Sequence, residues 1–192
     1  AADLFEIGAD IAQLGLDQRR VYMLAREIGP KLGFWKPIVI SHHMLMGLGT
    51  PTSQEKDALE RAIDLKMSKS KPDTAIFMTD SEEEINRKIN KAYCPEKQIQ
   101  ENPILEYCKY IIFEKFKEIK IERAEKFGGN LIIKNFDELI KAYKNGQLHP
   151  LDLKKAVAFY LNVLVKPVRE HFEKNNKARE LFEAIKKFEI TR

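Results

Sequence analysis

Short apolar runs alternate with a helical pattern in the first part of the chain. A strand-like run at residues 10–15 ends in glycine, helical spacing follows at residues 21–28, and a second apolar run occupies residues 37–41. A strand, a helix and a second strand in this order predict a parallel pair joined by a right-handed crossover. The apolar run at residues 74–78 predicts a further strand.

The rest of the chain has mostly helical spacing. Ser81 with Glu84 three positions later forms a capping box that predicts the start of a helix. Helical patterns also cover residues 103–114 and 135–144, and a long one begins at Pro150. We expect Pro167 to kink that last helix, since proline removes a backbone donor.

A small hairpin is predicted inside this helical part. Residues 118–123 alternate in polarity and residues 131–133 are apolar, and Gly128-Gly129 lies between the two runs. The fold class predicted from the whole pattern is therefore an α/β part followed by a mostly α-helical part.

Composition limits the class of protein. The chain has 192 residues, of which 44% are hydrophobic, enough for one ordinary domain or two small ones. No apolar run approaches the roughly 18 residues of a membrane span, and no secretory signal opens the chain, so we expect a cytoplasmic protein without membrane contact. Cys94 and Cys108 lack zinc-ligand spacing, which predicts core thiols and no protein-bound metal.

The formal net charge of +4 is unevenly distributed. Residues 81–192 carry 23 Lys and Arg against 18 Asp and Glu, whereas the first 80 residues are nearly balanced. A basic second part suits an RNA-facing surface. A charge-rich helical surface of a thermally robust protein is the alternative interpretation.

A lysine-rich loop carries the most specific chemistry. Lys66-Met67-Ser68-Lys69-Ser70 is followed by Lys71-Pro72, so that three ammonium groups fall within six residues. Mobile cations of this kind can neutralise the charge that develops on a departing pyrophosphate. The alternative interpretation of the three lysines is a solvated basic turn without a ligand.

A turn after the first predicted strand offers a second candidate site. Gly15-Leu16-Asp17-Gln18-Arg19 lies at the carboxyl end of a parallel strand, where open α/β sheets bind their ligands. Glycine lets a nucleotide approach the backbone, and Asp17 can accept hydrogen bonds from ribose hydroxyls. An N-cap role for Asp17 remains open.

These segments together resemble one enzyme family. The chain is similar to tyrosyl-tRNA synthetase of the archaeal and eukaryotic type, a class I aminoacyl-tRNA synthetase, over essentially its whole length. The resemblance rests on the two segments above and on residues 72–77, 91–95, 125–129 and 148–154.

The resemblance implies a position in the parent enzyme and a domain organisation. The chain corresponds to roughly its C-terminal half. Residues 1–90 would form the second part of the Rossmann-like catalytic domain, and residues 91–192 the helical anticodon-binding domain.

The implied reaction joins ATP and tyrosine into tyrosyl adenylate and transfers the tyrosyl group to tRNA(Tyr). Mg²⁺ would accompany the ATP phosphates, and the full enzyme would be a homodimer.

The resemblance also assigns residues to the small substrates. Asp3 falls where the family binds the phenolic hydroxyl of tyrosine, and Gln18 where it binds the amino end. Gly15, Asp17 and Met44 fall around the nucleotide. The residues expected to surround the triphosphate, and so to be catalytic, are Lys66, Ser68, Lys69 and Ser70.

Three further positions fall where the family contacts tRNA. Arg19 matches a contact to the first base pair of the acceptor stem. Phe127 and Asp152 match the residues that read the first anticodon base, by stacking and by accepting hydrogen bonds from guanine. Nearby cations would contact phosphates: Lys154, Lys155 and Arg169.

Two departures from the family pattern bear on activity. Leu14 stands where many relatives have a first glycine, and no His-x-Gly-His element occurs in these 192 residues. We therefore expect these residues alone to be inactive in aminoacylation. Tryptophanyl-tRNA synthetase is one alternative, and a non-catalytic tRNA-binding module is another.

Overall fold

The computed structural model describes residues 1–51, 61, 65–67 and 71–188. The chain divides into two compact units. The first comprises residues 1–46 and 51–66, and the second comprises residues 47–50 and 67–192. The predicted domain boundary after residue 90 falls inside the second unit, and the assignment of domains to residues 1–90 and 91–192 stays a prediction.

The first unit contains the predicted strand, helix and strand. Its elements are α1 (Ala2–Glu6), β1 (Ile11–Gly15), α2 (Arg19–Ile28) and β2 (Ile38–His42). The two strands pair in parallel, with Ile11 opposite Ile38 and Gly15 opposite His42. The parallel pair is thus confirmed, and α2 ends at Ile28, where Gly29-Pro30 leads into a 3-10 turn.

The second unit is mostly helical. Its elements are α3 (Glu82–Lys91), α4 (Pro103–Tyr107), a π-helical turn (Cys108–Ile112), α5 (Phe113–Lys115), β3 (Ile119–Ile121), β4 (Leu131–Ile133), α6 (Phe136–Lys144), α7 (Pro150–Lys174) and α8 (Asn176–Lys186). Strands β3 and β4 pair antiparallel, with Ile119 opposite Ile133, which confirms the predicted hairpin. Among the described residues, no helix is long and apolar enough to cross a bilayer.

Helix α7 is the centre of this unit. A buried stripe at helical spacing, formed by Leu153, Val157, Leu161 and Val165, packs against α3, α4 and β3. The helix continues through Pro167. Because α7 also carries Asp152 in its first turn, the core of this unit fixes where that carboxylate lies.

The helix start predicted at Ser81 is confirmed, and Ser81 is the N-cap of α3. The Ser81 hydroxyl accepts a hydrogen bond from the Glu84 amide at 3.1 Å. The strand predicted at residues 74–78 is wrong.

That segment forms a 3-10 turn and an irregular stretch instead. Its backbone groups bond elsewhere: the Ala75 carbonyl accepts from Lys88 Nζ at 3.0 Å, and the Phe77 amide donates to the Asp80 carboxylate at 2.9 Å. Since side chains satisfy these groups, the apolar run needs no strand partner.

Candidate functional site

Three of the predicted nucleotide-binding residues meet at the end of β1. A 3-10 turn, Leu16–Gln18, follows Gly15 directly and brings Asp17 back over the strand end. A Cβ added at Gly15 would lie 2.7 Å from Asp17 Oδ1 and 3.2 Å from Met44 Cγ, so a side chain there would displace the Asp17 carboxylate or crowd Met44. The Asp17 amide donates to the Met44 sulfur at 3.4 Å. Gly15, Asp17 and Met44 therefore form one site.

Lys66 joins the same site from a distant part of the sequence. An antiparallel bridge pairs its backbone with Met46, two residues beyond Met44. Its ammonium lies 3.3 Å from Asp17 Oδ2. The two side chains are 43% and 20% exposed, so the pair is open to solvent and to a ligand.

The neighbouring ammonium helps to lower the pKa of the Asp17 carboxyl. Partial desolvation on its own would raise the pKa of Asp17, but the Lys66 ammonium and hydrogen bonds from Gln18 outweigh it, so the pKa lies below the ordinary value. Asp17 is therefore an acceptor at neutral pH, suited to hydroxyl donors. In the described part of the chain the Lys66 ammonium pairs with the half-buried Asp17 carboxylate, and an incoming polyanion can replace that partner.

The other residues expected around the triphosphate, Ser68, Lys69 and Ser70, lie outside the described residues. Met67, between Lys66 and that segment, is anchored in the second unit. Its sulfur accepts a hydrogen bond from the hydroxyl of Tyr107 at 3.6 Å, and that tyrosine is fully buried.

The three remaining predicted residues of the first unit are exposed. Asp3 lies on α1, while Gln18 is the N-cap residue and Arg19 the first residue of α2. Gln18 is linked to Asp17 by hydrogen bonding. Among the described residues, no hydrogen bond or ion pair joins Asp3 to Gln18, and the tyrosine-binding roles stay predictions.

Phe127 and Asp152, predicted to read a base, line the same open cavities in the second unit. One cavity has a volume of about 710 Å³ and the other about 470 Å³, and Lys155 contributes to both. The Phe127 ring is 61% exposed. An exposed ring beside a carboxylate and cations can stack on a base and accept from its edge.

Local structure explains how the two side chains reach these cavities. Gly128 and Gly129 have φ values of 92° and 70°, which glycine adopts easily, so the chain turns sharply after Phe127 and the ring points outward. His149 caps α7, and its Nδ1 accepts from the Leu151 amide at 3.2 Å. Asp152 follows in the first turn of α7.

The structure corrects two of the predicted phosphate contacts. Lys154 is buried and its ammonium donates to the Asn90 carbonyl at 3.0 Å, so it links α7 to α3. The Arg169 guanidinium donates to the Asp80 carbonyl and to Asn162. Lys154 thus has its partner on α3, whereas the partners of Arg169 lie on α7 itself and just before α3. Lys155 remains exposed beside Asp152.

Sequence reasoning missed other residues of the larger cavity. His149, Arg123 and Lys126 all line it. The Lys126 ammonium lies 5.0 Å from the centre of the Phe127 ring, a cation–π distance. The sequence signal was their position within a few residues of Phe127 and Asp152. In the described part of the chain, no cluster of three or more His, Cys, Asp or Glu side chains could hold a metal ion.

Comparison with known proteins gives the family that the sequence resembles. The family model described as tRNA synthetases class I (W and Y) matches residues 1–166. The cytoplasmic tyrosine–tRNA ligase 2 of Arabidopsis thaliana is 49% identical over 192 residues, all of this chain and 24% of that protein. The tyrosine–tRNA ligase of Thermococcus kodakarensis is 45% identical, over 96% of this chain and 53% of that protein.

Solved structures are similar over nearly the whole chain. The tyrosyl-tRNA synthetase of Pyrococcus horikoshii in complex with L-tyrosine has 40% sequence identity and a TM-score of 0.83, covering 95% of this chain and 53% of that one. The chain thus spans about half the length, or less, of the relatives that it matches. The comparisons support the family and a partial match, and they do not support the expected placement in the C-terminal half.

Proposed function

Since the chain belongs to the class I tRNA synthetase family of the tryptophan and tyrosine enzymes, we propose that it is part of a tyrosine–tRNA ligase. The reaction is activation of tyrosine by ATP to tyrosyl adenylate, followed by transfer to tRNA(Tyr). The contact of 3.3 Å between Lys66 and Asp17 carries this proposal, because it joins the lysine loop to the strand-end site.

The nucleotide has a defined place in this proposal. Gly15 leaves room for the nucleotide to approach the backbone, and Met44 offers an apolar contact to the adenine. The Asp17 carboxylate accepts from the ribose hydroxyls. Mg²⁺ enters with the ATP phosphates, as part of the substrate.

Lys66 supplies charge stabilisation. When the tyrosine carboxylate attacks the α-phosphorus, negative charge builds on the departing pyrophosphate. The Lys66 ammonium leaves the Asp17 carboxylate and binds the pyrophosphate oxygens instead. The same loop adds donors from Lys69, Ser68 and Ser70. Catalysis is then positioning and electrostatics, with no covalent intermediate on the protein.

Tyrosine and the acceptor stem lie at the exposed residues of the first unit. Asp3 accepts from the phenolic hydroxyl, Gln18 binds the amino end, and Arg19 contacts the first base pair. A carboxylate that must receive this hydroxyl also explains selectivity, because phenylalanine would leave it without a donor.

The cavities at Phe127 and Asp152 bind the first anticodon base. Residues 1–90 belong in this proposal to the Rossmann-like catalytic domain and residues 91–192 to the anticodon-binding domain. The full enzyme acts as a homodimer in the cytoplasm.

A non-catalytic tRNA-binding module is the second candidate. The open cavities at Phe127 and Asp152 favour it, since they bring an exposed ring, a carboxylate and a cation together for an RNA base. A tryptophan enzyme is not favoured, because the relatives reported above are named as tyrosine enzymes.

Pyrophosphate exchange separates the two candidates. The chain is joined to, or mixed with, the remaining part of a tyrosine ligase of this type, and ATP labelling from pyrophosphate is followed with and without tyrosine. Tyrosine-dependent exchange supports the enzyme. Binding of tRNA(Tyr) with no exchange in either arrangement would contradict it and support the module.

A further inference from the structure

A separate cavity lies beside the one at Phe127, along the same face of α7. Its volume is about 420 Å³, and it shares Asp152 and Lys155 with its neighbour. Phe159 also lines it. Asp152, Lys155 and Phe159 follow one another at helical spacing, so that Phe159 lies about 10 Å along the helix axis from Asp152.

Phe159 is an exposed aromatic ring on a rigid support. The side chain is 62% exposed. The Tyr160 ring stands against it at a centroid distance of 5.2 Å and an angle of 82°. Tyr160 is itself held, because its hydroxyl accepts from the Lys120 amide at 2.7 Å and its ring packs on Phe116. The face of Phe159 is therefore presented to solvent by a fixed element.

Two lysines and two carboxylates line this cavity, namely Lys120, Lys155, Glu122 and Asp152. The ammonium groups of Lys120 and Lys155 border the cavity, and each can meet a phosphate. Glu122 pairs with Lys120 at 3.0 Å, but both side chains are more than half exposed, so that contact can be exchanged. Exposed aromatic rings between exchangeable cations are typical of surfaces that bind single-stranded nucleic acid.

We propose that this cavity binds a second nucleobase of the same single-stranded loop, stacked on Phe159. The loop would run along α7, with one base at Phe127 and Asp152 and another at Phe159. Lys155, between the two cavities, would contact the connecting phosphate. The inference rests on the proposed function, because it assumes that the chain binds tRNA.

The test uses RNA stem-loops with a seven-nucleotide loop carrying the anticodon GUA. 2-Aminopurine replaces, in turn, each of the two nucleotides on either side of the guanine, and its fluorescence reports stacking. We expect quenching at one of these positions when the whole chain binds. Phe159→Ala removes the stacking surface, so binding should weaken at least about fivefold and the quenching should disappear. Phe159→Tyr keeps an aromatic face and should retain both the affinity for the stem-loop and the quenching.

Two matched variants separate this inference from the proposed function. Val163→Ala trims another exposed apolar residue of α7 one turn further on and should change nothing. Phe127→Ala should weaken binding of every stem-loop, whichever position carries the probe.

Three results would overturn the second base site. Normal binding and quenching by Phe159→Ala, with loss by Phe127→Ala, would remove it and leave the proposed function intact. A concentration-dependent dimer that Phe159→Ala dissociates would assign the cavity to contact between copies of the chain. No binding of any stem-loop or of tRNA(Tyr) by the unaltered chain would remove both proposals.

Discussion

Lys88→Met tests how the segment that follows the lysine loop is held. The Lys88 side chain is 3% exposed, and its ammonium lies 2.6 Å from Asp80 Oδ2 and 3.0 Å from the Ala75 carbonyl. It also lies 4.6 Å from the centre of the Phe77 ring. One buried cation thus ties residues 75–80 to α3.

Removing one partner of a buried ion pair costs about 3 to 5 kcal/mol, because the other charge stays behind without compensation. Asp80 would keep the Phe77 amide as a donor, and its side chain is 12% exposed. We therefore expect Lys88→Met to lower the free energy of unfolding by about 3 kcal/mol, the lower end of that range. Methionine keeps most of the volume, so that little of the loss comes from a cavity.

The assay is urea unfolding followed by far-ultraviolet circular dichroism, which reports the helices of the second unit. Arg87→Met is the matched control: Arg87 precedes Lys88 on α3 and pairs with Asp73 at 2.6 Å, but that pair is exposed and should contribute little. A double variant, Lys88→Met with Asp80→Asn, should recover much of the loss, since no buried charge remains. Equal midpoints for Lys88→Met and Arg87→Met would refute the reasoning.

Three other predictions follow from single contacts. Asn102→Ala should cost about 1 to 2 kcal/mol in urea unfolding, because this buried side chain caps α4 by accepting from two amides; no change would exclude the cap. Asp152→Ala should weaken charging of tRNA(Tyr) by about 1 to 3 kcal/mol and pyrophosphate exchange much less; equal losses would remove Asp152 from base reading. Asp17→Asn should be less stable than the unaltered chain above the ordinary carboxyl pKa, and the difference should vanish as the pH falls through the lowered pKa of Asp17. A difference that persisted in acid would contradict the pairing with Lys66.

Local patterns were enough to predict the elements around the first site. Glycine after an apolar run, helical spacing up to Gly29-Pro30 and a second apolar run predicted β1, α2 and β2, because each signal acts within a few residues. The same holds for the cap at Ser81.

The predictions that were wrong concern residues whose hydrogen-bond partners are distant in sequence. The apolar residues at 74–78 have the composition of a strand. The structure shows that the Lys88 ammonium, 13 positions further on, donates to the Ala75 carbonyl. Lys154 was expected in solvent, but its partner, the Asn90 carbonyl, lies 64 positions away. The sequence next to a charged residue does not indicate that the fold will bury its side chain.

The candidate site likewise combines a local feature that the sequence predicts with a long-range contact that it does not. Gly15 and Asp17 belong to one turn and were predictable together. The proximity of Lys66 depends on its backbone bridge to Met46, and no spacing rule gives such a long-range pair. The resemblance to a family supplied that link before the structure did.

The central claim is that Lys66 neutralises the departing pyrophosphate beside Asp17. Its most direct test is tyrosine-dependent pyrophosphate exchange by Lys66→Ala, with Lys36→Ala, another exposed lysine of the same unit, as the control. Both variants are measured in the chain combined with the remaining part of a tyrosine ligase. We predict that Lys66→Ala lowers kcat about 100-fold or more and changes the KM for tyrosine little, while Lys36→Ala behaves as the unaltered chain. Equal rates for the two variants would contradict the claim.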